Sequence, residues 1–195
     1  IPAKQRAFSL KSSYMSAFAR RVIDRQLIPS LFNVDELKSK TTLQLLQERF
    51  APYIGKRVSE IAKLVDIPVT KNKAFNANLI SAVLGVKGTK LESLREFSKA
   101  NIKFKTIRLE PTGIPKEHMS FEQIDFHRWV NDAWEDSQLY EKFEYTKYLF
   151  VVFQYDETEK ENKNREPYLK GIMLWNMPEV VIEHELKALD RKSVV

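Results

Sequence analysis

Cysteine is absent from the 195 residues, so neither a disulfide frame nor a thiolate zinc site is available, and a reducing, cytoplasmic setting is the expectation. Histidine is scarce and scattered, at His118, His127 and His184, which argues against a structural zinc site. No apolar run approaches the roughly 18 residues of a membrane span, and no internal repeat is present. The chain opens on IPAKQRAF, with neither Met nor an apolar signal core, the look of a piece internal to a longer protein. What is there describes an ordinary folded domain. Hydrophobic residues make up 43% and aromatics 11%, and the length suits one domain, residues 1–195, with a full core. A net charge of +6 permits an anionic partner without demonstrating one.

Hydrophobic spacing predicts helices first. Residues 5–27 carry apolar side chains at helical intervals, with Arg20, Arg21 and Arg25 among them, up to Pro29. TTLQLLQERF predicts a helix capped by Thr41 or Thr42. VSEIAKLVDI predicts another that stops at Pro68, and NANLISAVLG a buried one closed by Gly85. From Ile102 the period becomes two, with Ile102, Phe104 and Thr106 on one side and Lys103, Lys105 and Ile107 on the other. PTGIP makes a turn, residues 119–124 suit a short strand, and FHRWVNDAWEDSQLYEKF suits a helix. KYLFVVFQY and YLKGIMLW are strands joined by the polar loop DETEKENKNREP. Past Pro178, VVIEHELKALDR predicts a last amphipathic helix. The fold class is therefore α/β, with a helical N-terminal part and a small mixed sheet flanked by helices. Trp129, Trp134, Phe150, Phe153 and Trp175 sit at core spacings, and His118 and His127 read as local hydrogen-bonding groups.

LREFSKANIKFKTIRL has the layout of a metal-dependent nuclease strand. Such a site needs carboxylate oxygens converging on Mg²⁺, which polarises the phosphate and lowers the pKa of a bound water. An acid and a lysine two residues apart on a strand share one face, and a further acid upstream completes the pocket. Here Glu96 is the upstream acid and Lys105 the lysine, but Lys103 stands where the second acid belongs. A protonated lysine has no lone pair to offer a metal. Like charge about 4 Å away costs on the order of 1 kcal/mol in water and several times that in a drier site. The set turns from net negative to net positive, repelling the ion while still suiting phosphate. An E-x-K triplet by itself is also common on solvated amphipathic strands.

YIGKRVSEIAKLVDI, NLISAVLG and EFSKANIKFKTI together resemble the MutH family of GATC-directed endonucleases, in its early helix, its glutamate-bearing helix and its D-F-x-x-x-G-[VI]-E-L-K-T-I strand. The opening AKQRAFSLKSSYM, AWEDS, KYLFVVF and YLKGIMLWNMP resemble the second half of two-domain members that are type II restriction enzymes cutting at GATC. The resemblance implies a restriction-endonuclease-like fold. It also implies that such a second half lacks catalytic residues, binds a recognition site, and acts as an allosteric effector for an N-terminal catalytic domain that uses Mg²⁺. Carried over position by position, the helix glutamate is Ser81, the aspartate is Glu96, the strand glutamate is Lys103, the lysine survives as Lys105, and the glycine before the strand is Asn101. No catalytic or metal-binding set is then expected, and no cofactor for this domain.

The expected partner is double-stranded DNA containing GATC, with dimerisation open and no membrane. Lys103 and Lys105 are the first phosphate candidates, joined by Lys71, Lys73, Lys87 and Lys90 around the same cleft. The resemblance implies base reading by the loop entering the last strand, where Lys170 beside Gly171, with Arg165, is the local candidate; guanine O6 and N7 are the usual acceptors for such a cation. Two other classes stay open: an active Mg²⁺ nuclease using Glu96 with Glu92, Glu122 or Asp125, and a structural or dimerisation module without a DNA role.

Overall fold

The computed structural model describes residues 29–72, 74–88, 90–121, 123 and 133–192, together with Met15 and Ala19. Of the helix expected over residues 5–27 only Met15 and Ala19 are described, both helical; Arg20, Arg21 and Arg25 lie outside the described residues, as do Lys73, Glu122, Asp125, His127 and Trp129.

Local sequence signals set the helical half. Helices α1 (Val34–Ser39) and α2 (Thr42–Phe50) each begin on a reciprocal cap, Asn33 with Glu36 and Thr41 with Gln44, which satisfies amides that have no partner within the helix. Helix α3 (Val58–Leu64) ends before Pro68. Asp66 takes a left-handed φ of 53°, and the Ile67 and Asp66 amides donate back to the Ala62 and Lys63 carbonyls. The helix is thus closed by its own turn, with the proline behind it. Helix α4 (Phe75–Val83) closes in the same manner at Gly85, φ 78°, with the Val86 amide donating to the Ser81 carbonyl. A helix the period-two reading does not predict, α5 (Arg95–Ala100), precedes the first strand and stops at Asn101, φ 49°. Asparagine tolerates this conformation better than most residues, so Asn101 does the work of a glycine there.

Strand β1 (Ile102–Leu109) lies parallel to β2 (Lys147–Gln154), which pairs antiparallel with β3 (Tyr168–Trp175), giving the order β1-β2-β3. Between β1 and β2 the chain crosses over through α6 (Gln138–Glu144), as a parallel pair requires. The expected helix over residues 126–143 is shorter where it is described: Ser137 is extended, its hydroxyl caps the Tyr140 amide, and α6 starts only at Gln138. The described part of 119–124 forms no strand. The C-terminal helix begins as a π-helical segment, Val181–Leu186, before the α-helical α7, Lys187–Lys192.

The alternation of β1 divides two cores. Ile102 and Phe104 pack with Leu149, Val151 and Phe153 against the helical half, including Leu46, Phe50, Ile61, Leu79 and Phe97. Ile107 packs with Tyr148, Phe150 and Trp175 against Phe143, Trp134 and Ile182. Phe150, Phe153, Trp134 and Trp175 are core residues as expected. Among the described residues no helix is long and apolar enough to cross a membrane.

Candidate nucleic-acid interface

Lys103 pairs in register with Tyr148 and Lys105 with Phe150, so both lysines leave the sheet on its aromatic face. Lys105 extends its ammonium to the Ser120 carbonyl at 2.7 Å and lies 5.3 Å from the centre of the Phe121 ring. Phe121 meets Phe143 and Tyr148 edge-on at 5.3 and 5.6 Å, so the lysine head rests on an aromatic pile rooted in the second core. Neither of these partners neutralises its charge.

Glu96 is engaged elsewhere. It is buried in α5, and its carboxylate accepts the Ser30 hydroxyl and the Leu31 amide, the latter at 3.0 Å. The Arg95 amide donates to the Pro29 carbonyl, so the two contacts staple the segment entering α1 onto the start of α5. Ser81 is buried in α4. A hydroxyl, a carboxylate already holding two donors and two ammonium groups are not the donor set of a magnesium site. Among the described residues no three His, Asp or Glu side chains are grouped to hold a metal ion.

The remaining basic candidates separate. Lys71 and Lys90 are exposed on the segments flanking α4. Lys87 donates to the Asp66 carbonyl at 3.1 Å, helping to close α3, with the Asp66 carboxylate 3.9 Å away. Arg165 does not lie on the surface as a base-reading residue would: its side chain is 3% exposed, paired through both terminal nitrogens with Glu110 at 2.5 and 2.7 Å. It also donates to the Glu157 carbonyl at 2.7 Å and stacks 4.1 Å over the Tyr155 ring. The carboxylate holds the Arg165 pKa above its ordinary value, and that pairing pulls Glu110 below its own. Arg57–Asp156 at 2.6 Å and Arg108–Glu117 at 2.6 Å extend the same ion-paired end of the sheet. Its loop, residues 155–167, is thus a braced structure.

Lys170 remains exposed, and the strand is irregular there. Val152 pairs with Gly171 and Phe153 with Leu169, which leaves Lys170 as the extra residue of a β-bulge. Gly171 has an ordinary φ, and a Cβ placed on it would meet nothing within 4 Å, so nothing in the surrounding fold demands glycine. Sequence reasoning missed Gln154, which is buried and accepts from Lys170 Nζ at 2.6 Å. The available sign was a glutamine closing a strand that is apolar or aromatic from Tyr148 to Phe153.

Comparison with known proteins agrees with this geometry. The family model described as DNA mismatch repair enzyme MutH matches residues 88–190, from the loop before α5 through most of α7. The type II restriction enzyme Sau3AI of Staphylococcus aureus is 32% identical over 202 aligned residues, covering 97% of this chain and 40% of that enzyme. The chain therefore spans two fifths of the length of the relative it matches. A strand-and-helix frame of restriction-endonuclease type, the family match across it and the identity along nearly all of the chain lead to one assignment: the chain belongs to the MutH family, as a MutH-like restriction-endonuclease domain.

Proposed function

We propose that this domain binds double-stranded DNA at GATC and serves as a non-catalytic effector of a longer type II restriction endonuclease. Catalysis is assigned to an N-terminal domain of the same parent chain, which would use Mg²⁺. The observation that carries the reading is the fate of the ancestral metal positions: Lys103 replaces the strand acid, and the one acid left, Glu96, holds Ser30 and Leu31. A site rebuilt in this way favours phosphate over a divalent cation. Lys103 and Lys105 supply that phosphate affinity at one end of the aromatic face, and Lys170 supplies base reading farther along it.

Fluorescence anisotropy with a GATC duplex and a scrambled duplex, across several salt concentrations and with Mg²⁺ or EDTA, tests this reading. The expected result is a preference for GATC that survives EDTA, steep salt dependence, and no cleavage by the domain. Equal weak binding to both duplexes would leave only nonspecific charge. Metal-dependent cleavage abolished by Glu96→Ala would make the domain an active nuclease instead.

A further inference from the structure

A lysine that reads a base must be aimed, because its four-carbon stem gives the ammonium no fixed direction. The structure supplies the aiming device in Gln154. Its amide nitrogen donates to the Glu110 and Pro111 carbonyls at 3.2 and 3.3 Å, so its carbonyl oxygen must face the other way. That oxygen accepts the Tyr168 hydroxyl at 3.1 Å and Lys170 Nζ at 2.6 Å. The glutamine is buried and its bonds are mutually consistent, so it is a fixed point against which the bulged Lys170 is held.

We infer that Gln154 is the positioning residue for Lys170, presenting the lysine's two remaining N–H donors to the paired acceptors of a guanine edge in the major groove. One of the ammonium's three donors goes to Gln154; the other two match the acceptor pair O6 and N7. The bulge turns the lysine out of the ladder, and Gly171 beside it leaves the backbone open to close approach. Gln154 lies four residues beyond Phe150, the register partner of Lys105, about 13 Å along the same face of β2. Base reading and phosphate gripping thus occupy two stations on one surface. This inference rests on the proposed DNA-binding function.

The test compares binding of GATC and scrambled duplexes by wild type, Lys170→Ala, Gln154→Met, Gln154→Glu and the Gln154→Met/Lys170→Ala double variant. Gln154→Met keeps the length and removes both polar functions. Gln154→Glu keeps the acceptor for Lys170 and Tyr168 but loses the donors to Glu110 and Pro111. Expected are a roughly tenfold loss of GATC preference in Gln154→Met with the salt slope unchanged, no further loss in the double variant, and preference retained in Gln154→Glu. Additive losses, or a loss in Gln154→Glu equal to that in Gln154→Met, would make Gln154 merely structural and overturn the inference. If Gln154→Met does not fold, Gln154→Glu decides. A wild-type domain without GATC preference would instead remove the DNA-reading function itself, and this inference with it.

Discussion

In the first half of β1, Lys105 meets a backbone carbonyl and an aromatic ring, beside Lys103 on the same face. At its end, Arg108 pairs with Glu117 at 2.6 Å, and next to it Arg165 is locked onto Glu110. Sequence composition counts all four as positive charge. The structure commits the arginines to the protein's own carboxylates, where they brace the loop between β2 and β3, while Lys105 meets a carbonyl and a ring, neither of which is a carboxylate. Arginine suits the first task because its planar fork bonds a carboxylate through two nitrogens at once. The lesson is that an anionic partner is offered charge by arrangement: cations at one end of the strand hold the fold, and Lys105 at the other still has charge to offer.

The sharpest way to break that contrast is to remove one cation from each end. Arg165→Met is expected to cause the largest fall in melting temperature, because it leaves the Glu110 carboxylate and the Glu157 carbonyl without their buried donor. Measured well below that melting temperature, its DNA affinity should stay close to wild type. Lys105→Met is expected to do the reverse, shifting stability by no more than about 1 kcal/mol while weakening DNA binding. Equal losses of affinity in the two folded variants would erase the distinction between the ends.

The second expectation concerns the lysines alone. Each phosphate contact contributes about 0.9 to the slope of log K against log salt. Lys103→Ala/Lys105→Ala should therefore flatten that slope by about two and weaken binding of GATC and scrambled duplexes alike. A specific loss on GATC only would move these lysines from phosphate contact to base reading.

Acid should act on the opposite end. Glu110 and Asp156 are held below their ordinary pKa values, first by hydrogen bonds from Arg165 and Arg57. A lowered folded pKa means the unfolded chain takes up protons first, so these pairs contribute fully above the ordinary carboxylate range of about 3.9–4.3, begin to lose their contribution there, and lose it as pH falls further through the lowered folded values. Thermal unfolding between pH 7 and 3 should show a falling limb at its acid end, shallower in Glu110→Gln and Asp156→Asn than in wild type. An unchanged limb would place the acid-sensitive groups elsewhere.

How much of this is legible in the sequence differs by the range of the interaction involved. Thr41, Gly85, the two faces of β1 and the spans of β2 and β3 follow from local chemistry and period, and the structure bears them out. Helix α5 is not legible, because six residues between a turn and a strand leave too little pattern to separate the two periods. Pro68 is the conspicuous helix breaker, yet the left-handed turn at Asp66 ends α3 sooner. In the site, Lys103 at the strand position where a metal-dependent nuclease needs its second acid can be read directly. That Glu96 has acquired Ser30 and Leu31, and Arg165 has acquired Glu110, cannot, since those partners lie 55–66 residues away in sequence.

The smallest expected effect sharpens the view of the lysine end. Asn101 stands where the family pattern has glycine, and its side-chain amide donates to the Tyr145 carbonyl at 2.9 Å and the Thr146 hydroxyl at 3.0 Å. It therefore ties the entry of β1 to the entry of β2, a link that glycine cannot make. Asn101→Gly relieves the left-handed backbone and loses these two bonds, each worth about 1 kcal/mol net, so stability should change little. Asn101→Ala loses the bonds and keeps the backbone penalty of roughly 1–2 kcal/mol, so it should be the less stable of the two. Neither should alter DNA affinity, because Lys103 and Lys105 remain in register on β2. Chemical denaturation ranks the pair. If Asn101→Gly instead weakened DNA binding, the aim of the two lysines would depend on this link between the strands.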